Sequence, residues 1–294
     1  MANHSFPDII DIINLRQAID GAFDQIVIDY GEILEQLSIP LLRFIQMVDD
    51  GLNALPWYVL LFGIMGLTYH ASRSWKLMLF TGTLMFSCGV IGLWEVTVTT
   101  IALMLISTLL AILIGLPIGT AMAKINWLER MMLPILDIMQ TLPIFVYLIP
   151  FVMLLGPGQV PAILATLVFA LPPVVRLTNL GIRQVDKDVL EAAAAFGANN
   201  WKKLITVQIP LALPTIMAGI NQTIMMALSM VVIASMIGAG GLGYQVLQGI
   251  QRLEISRGLL AGLAIVFLAV IFDRIAQSYA KRTPAMRYTN LDQS

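Results

Sequence analysis

The stretch from Asp188 to Pro210, "DVLEAAAAFGANNWKKLITVQIP", sets two acids, four successive alanines, a glycine and paired lysines between two strongly apolar runs. Read locally, Asp188 is placed to cap a helix and Glu191, three residues on, to complete a capping box, with Ala192 to Ala195 as strong helix formers. Gly197 suits the left-handed position that follows a helix C-terminus. A helix of about eight residues is only about 12 Å long, far too short to cross a bilayer, so this segment lies outside the lipid. Asn199 or Asn200 is placed to cap a second helix carrying Trp201, Lys202, Lys203 and Leu204, which Pro210 is expected to end before the next apolar run. The pattern predicts a short helix, a bend and another helix held between two spans. Such an elbow is either a docking surface for something that must approach closely or simply a well-capped loop.

The rest of the chain fixes the setting. Of 294 residues, 58% are apolar and 12% charged, and the mean hydropathy is +0.84, which excludes a fold built around one water-soluble core. Cys88 is the single cysteine and lies in an apolar run, so there is no intrachain disulfide framework. The N-terminus carries acids rather than a basic region and lacks a short apolar run with a cleavage site, so no removable signal peptide is expected. A helix crossing a hydrocarbon core of about 30 Å needs roughly 17 to 25 apolar residues. Seven such runs occur, near 54–71, 77–94, 97–123, 134–156, 160–183, 211–238 and 258–278, predicting an all-α integral membrane protein of about seven transmembrane helices.

Lys and Arg in short loops are retained on the cytoplasmic side. Arg73 and Lys76 follow the first span, Lys124 and Arg130 the third, Arg183, Lys187, Lys202 and Lys203 the fifth, and Lys281, Arg282 and Arg287 the seventh. The alternate loops carry Glu95, then the uncharged "LLGPGQVP", then "QRLEISRG", whose Arg252 and Arg257 are the exception. The elbow and the C-terminus are therefore expected in the cytoplasm and the N-terminus outside. Residues 1–53 alternate acids (Asp8, Asp11, Asp20, Asp24, Asp29, Glu32, Glu35, Asp49 and Asp50) with Ile, Leu and Phe, predicting an amphipathic helix or pair of helices against the outer face of the bundle, or else a partly ordered tail.

The elbow's spacing is itself informative. Glu191-Ala192-Ala193, three residues, Gly197, nine residues, Val207, one residue and Ile209-Pro210 resembles the EAA loop of type I ABC importer permeases, with Val for Ile and Ile for Leu as the departures. Three longer stretches, "LDIMQTLPIFVYLIPFVMLLG", "FALPPVVRLTNLGIRQV" and "PLALPTIMAGINQTIMMALSMVVIASMIGAGGLGYQVLQGI", resemble the glycine betaine/proline betaine/choline (ProW- and OpuAB-like) permeases over roughly residues 97–278. The resemblance implies a MetI-like permease core at 97–278, preceded by two helices at 54–96 and followed by a cytoplasmic tail at 279–294. It also implies the permease subunit of an ATP-driven importer in the bacterial inner membrane, serving osmoprotection. In that family the loop seats in a cleft of the cytoplasmic ATPase, which implies such a coupling role for Glu191, Ala192, Ala193, Gly197 and Pro210. The implied partners are an ATPase dimer, an extracytoplasmic substrate-binding protein, a second permease copy and membrane lipid, with no nucleic acid. ATP and Mg²⁺ belong to the ATPase, and this chain is expected to bind no cofactor.

Other chemistry is poorly represented. No phosphate loop is present, since "GAGGLGYQ" has no lysine to reach a phosphate. His4 and His70 are isolated, and neither a metal cluster nor a Ser-based nucleophile elbow appears, so neither a catalytic nor a metal site is expected. An ion-coupled secondary transporter needs ionisable groups at membrane depth, and the candidates are Asp137 and Arg176, placed either as a structural ion pair or as a gate latch. Quaternary ammonium groups are recognised by aromatic faces. Phe145 and Tyr147, with Asn221, Gln222, Ser229, Met230 and Ser235, are candidates for a substrate path, against the alternative that they serve helix packing. "GAGGLG" is either a hinge or a tight packing site. The runner-up substrate is another small zwitterion, such as an amino acid.

Overall fold

The computed structural model describes residues 12–281, and every element among them is helical. In chain order the α-helices are α1 (Ile12–Ala54), α2 (Trp57–Ser72), α3 (Trp75–Val90), α4 (Trp94–Lys124), α5 (Asn126–Thr141), α6 (Ile144–Leu155), α7 (Gln159–Arg183), α8 (Lys187–Ala195), α9 (Asn200–Lys203), α10 (Ile209–Ala234), α11 (Leu242–Gln251) and α12 (Ile255–Lys281). A π-turn at Leu204–Gln208 joins α9 to α10. The expectations placed on His4, Asp8, Asp11, Arg282 and Arg287 lie outside the described residues.

Helices dominate because lipid offers no hydrogen-bond partners to the backbone, so each segment must satisfy its own N–H and C=O groups. Four helical stretches are long and apolar enough to cross a membrane: α4, α7, residues 200–237 containing α10, and α12. The predicted fourth span, 134–156, is not a single helix. α5 and α6 meet at a 91° bend, because Pro143 forces Leu142 into extended backbone (ψ 134°) and starts a new helix. α1 and α2 are likewise turned by 102°. Counting each bent pair as one span gives up to six crossings, and α3 is a shorter apolar helix; a straight 16-residue helix reaches only about 24 Å.

α7 is the centre of the bundle, packed between α4 and α10. Glycines permit the approach. A Cβ on Gly119 of α4 would come within 2.6 Å of the Val175 carbonyl oxygen, and one on Gly219 of α10 within 3.2 Å of the Pro173 carbonyl oxygen. The Thr223 hydroxyl donates to the Ala170 carbonyl at 3.0 Å across the α10–α7 seam. The bundle has two ends. At one, Lys124, Arg183 and Gln208 lie together. At the other, Leu242 N donates to Thr100 Oγ1 at 2.9 Å, and Gly238 packs on Pro157 and Gly158.

At this far end the turn "GAGGLG" is closely packed at Gly241 and Gly243. Gly238, Gly240 and Gly241 have positive φ, and a Cβ on Gly243 would overlap the Val232 carbonyl oxygen at 2.0 Å. α1 is one continuous helix of 43 residues. Only its last turns join the core, through Leu41, Leu42, Ile45 and Val48. Earlier apolar residues such as Ile28 and Leu37 are exposed.

Gly119→Val should lower the thermal unfolding temperature in detergent by the equivalent of about 1–3 kcal/mol, because overpacking meets rigid backbone. Gly66→Ala, where a Cβ meets nothing within 4 Å, should leave unfolding unchanged or slightly raised.

Candidate functional site

The elbow begins where α7 ends. Asp186, not Asp188, caps α8: its carboxylate accepts from Asp188 N at 2.9 Å. The chain leaves α7 with Asp186 in extended backbone (ψ 132°), the geometry of an N-cap. Asp188 falls inside the first turn, where its charge favours the helix dipole, and Glu191 is too far along to close a capping box. Glu191 is exposed and makes no hydrogen bond or ion pair with the described residues.

The helix ends as the glycine predicts. Ala198 N donates to the Ala193 carbonyl at 3.0 Å and Gly197 N to the Ala194 carbonyl at 2.9 Å, the paired bonds of a Schellman motif. Gly197 has φ +81°, and a Cβ there would meet nothing within 4 Å, so its necessity is conformational rather than steric. Asn199 caps α9, its Oδ1 accepting from Lys202 N at 2.8 Å. α8 buries none of its residues. Around the bend, Phe196 is 93% exposed, and Trp201 and Val189 are also exposed.

Pro210 does not separate α9 from the following span. Residues 200–237 run as one helical stretch, and the π-turn accommodates the proline. Ile209 N reaches back five residues to the Leu204 carbonyl, widening the turn just before the residue that has no N–H to give. Within that turn Gln208 is buried. Its Oε1 accepts from Lys124 Nζ at the end of α4, and its Nε2 donates to the Ile182 carbonyl of α7 at 3.5 Å.

A second polar cluster lies beside it. Arg183 NH2 meets Glu129 Oε2 at 2.8 Å, the Met122 carbonyl at 2.8 Å and Asn126 Oδ1 at 2.9 Å. Arg183 Nε donates to Asn179 Oδ1 at 3.0 Å, and Asn179 Nδ2 donates to Glu129 Oε1 at 2.8 Å. The cluster staples the end of α4, the start of α5 and the end of α7. Sequence reasoning passed over Glu129, Asn179 and Gln208. The available signal was their polarity at the edges of apolar runs, but none belongs to a motif that brings them together. Farther into the bundle, Arg176 NH2 forms an ion pair with Asp137 Oδ1, and Arg176 Nε is buried without a partner.

The path candidates are not gathered into one place. Tyr147 and Met230 share a buried cluster, with the Tyr147 ring stacked on Phe169 at 6.5 Å and its hydroxyl unpartnered. Phe145 and Gln222 are exposed. Ser229 and Ser235 donate to the carbonyls of Met225 and Val231 on their own helix. Asn221 Oδ1 is buried without a partner. Among the described residues no three His, Cys, Asp or Glu side chains group as metal ligands.

Residues 111–283 match the family described as the binding-protein-dependent transport system inner membrane component. The chain belongs to this family. Its relatives include the glycine betaine/carnitine transport permease protein GbuB of Listeria monocytogenes, 47% identical over 77% of this chain and 81% of that one. The glycine betaine transport system permease protein OpuAB of Bacillus subtilis is 40% identical over 92% of this chain and 96% of that one. The glycine betaine/proline betaine permease protein ProW of Escherichia coli is 51% identical over 67% of this chain, which spans only 56% of that protein's length. An inward-facing MetNI methionine ABC transporter shares the fold, with a TM-score of 0.58 at 22% identity over 65% of this chain and 95% of that one. As a member of this inner membrane component family, the chain is a multi-pass inner membrane protein and a permease subunit.

Glu129→Gln should weaken the staple by about 1–3 kcal/mol, since Arg183 keeps its charge and loses its counter-ion. A double-mutant cycle with Arg183→Gln, read by thermal unfolding in detergent, should show a coupling energy above about 0.5 kcal/mol.

Proposed function

We propose that the chain imports quaternary ammonium compatible solutes, glycine betaine, proline betaine and choline, as the permease of an ATP-driven osmoprotective transporter, and that its elbow is the seat of a cytoplasmic ATPase. The carrying observation is a capped helix at one end of an apolar bundle that buries none of its own side chains while presenting Phe196, Trp201 and Val189 outward. Exposed apolar surface rigidly held outside the lipid marks a protein contact. Glu191, Ala192 and Ala193 face the ATPase cleft, Gly197 sets the bend, and Pro210 with its π-turn sets the angle at which the following span leaves.

Charge supports the orientation. Lys124, Arg130, Arg183, Lys187, Lys202 and Lys203 gather at the elbow end, which is the cytoplasmic end by the distribution of basic residues; with α3 counted as a crossing beside the six, the N-terminus is outside and the C-terminus cytoplasmic. ATP and Mg²⁺ are bound by the ATPase pair, a binding protein delivers substrate to the far end, and two permease copies alternate access as the ATPases close and reopen. The substrate class rests on the relatives, whose named substrates share an N-methylated cationic head. Tyr147, Phe169 and Met230 lie in one buried apolar, aromatic cluster, a chemistry suited to such a head, and the Asp137–Arg176 pair braces α5 against α7 beside the break at Pro143.

Reconstitution with the cognate ATPase and binding protein should give ATP hydrolysis stimulated by glycine betaine, proline betaine or choline. Stimulation by an amino acid alone would favour the other zwitterion class, and uptake driven by an ion gradient without ATP would remove the ATPase reading. In the same assay Gly197→Asp and Gly197→Val should abolish stimulated hydrolysis with membrane insertion intact. Gly197→Asn, which tolerates the left-handed conformation better, should retain more, and equal activity of all three would count against the elbow's role.

A further inference from the structure

We propose that Asp137 and Arg176 form a station for the solute on the elbow side of its path. There the ion pair opens and a zwitterion takes both ends, its carboxylate on the Arg176 guanidinium and its quaternary nitrogen beside the Asp137 carboxylate. The solute class is the one proposed above, and this assignment rests on it. The pair joins α5 to α7, and Arg176 lies seven residues before Arg183, about 10 Å deeper into the bundle than the end of α7. At such depth an ionised group is costly against lipid and faces either the protein interior or water. These two are not enclosed by the chain: the Asp137 side chain is 61% exposed and the Arg176 side chain 32%.

The surface of α5 shows where the water runs. Asn126, Arg130, Asp137 and Thr141, spaced by four, seven and four residues, make one exposed polar stripe. Trp127, Met131, Ile135 and Ile138 make a separate exposed apolar stripe. The apolar stripe suits lipid, whereas the polar one, running from the elbow end to the break before Pro143, suits a water-filled conduit. The pair itself is incompletely used. Arg176 NH2 meets a single Asp137 oxygen, and Arg176 Nε is buried with no partner, although a guanidinium fork matches a carboxylate through two parallel N–H donors. A solute carboxylate fills that fork once the pair opens. A quaternary ammonium has no N–H to donate and needs only a negative charge beside it, which the displaced Asp137 carboxylate supplies.

Two measurements on the full permease–ATPase complex test this. In membrane vesicles with the cytoplasmic face outward, and with the chain's single cysteine removed by Cys88→Ser, Thr141→Cys should react with an anionic, membrane-impermeant methanethiosulfonate while Ile138→Cys stays unmodified. No reaction at Thr141→Cys, or equal reaction at both, would overturn the conduit and the station with it. In proteoliposomes supplied with the binding protein, Arg176→Gln should lower the glycine betaine transported per ATP hydrolysed by about tenfold or more, the contribution of a charged hydrogen bond to a carboxylate. Asp137→Asn, which leaves the guanidinium in place, should lower the same ratio, and Arg176→Lys, which keeps the charge, should retain more of it than Arg176→Gln. Loss of a brace alone would slow transport and hydrolysis together, so a ratio unchanged in Arg176→Gln and Asp137→Asn would overturn the station. A native complex whose hydrolysis glycine betaine does not stimulate would instead remove the functional reading beneath it, a failure distinct from an unchanged ratio.

Discussion

The seam in which α7 lies against α4 and α10 is made largely of backbone, and the rest of the molecule depends on it. Lipid removes the hydrophobic drive for helices to associate, leaving close packing and hydrogen bonds between them. Gly115, Gly119, Gly181 and Gly219 give α7 that closeness, each at a point where an added methyl would press on α7 or α10. α7 also carries Pro172 and Pro173 in its interior, which remove two donors from its own ladder. It stays helical because both neighbours hold it along its length. Since α7 leads into the elbow and α10 leads out of it, the same seam fixes both of the elbow's roots.

Where the seam approaches the membrane edge, the adhesive changes from packing to polarity. Gln208, Lys124 and the Ile182 carbonyl join three helices at one point, and Arg183 with Glu129, Asn179 and Asn126 joins α4, α5 and α7 at another. Polar groups at this depth are costly unless satisfied, and satisfied they allow few alternative geometries. α8, by contrast, is attached only through its ends. The result is a base held at several points that carries an exposed tip.

Legibility followed the range of the interaction. Gly197 was readable, and the cap of α9 narrowed to Asn199 or Asn200, because their conformations are set within a few residues, and the long spans because length and hydropathy are additive along the chain. The cap fell on Asp186 instead of Asp188, since two acids near a helix start compete and the path of the chain out of α7 chooses between them. The run at 134–156 reads as one span because it is continuous in hydropathy, even where Pro143 rules out a straight helix. The continuity from α9 into α10 was missed for the opposite reason: Pro210 reads as a stop unless the turn before it widens. Glu129, Asn179 and Gln208 find their partners through the tertiary fold, and no local pattern announces such pairings.

That widened turn has a geometric consequence. An α-helix advances about 100° per residue, and a π-turn accommodates one additional residue without lengthening the hydrogen-bonded ladder. The face carrying Trp201 is therefore offset by about one residue's rotation from where an uninterrupted helix would place it relative to Gly219 and Thr223. Removing one residue from Leu204–Gln208 would restore the plain ladder and swing α8 around the axis of α10 by roughly a quarter of a turn. The azimuth of the elbow, and with it the direction in which the bundle presents Phe196 and Trp201, is thus encoded by a single surplus residue.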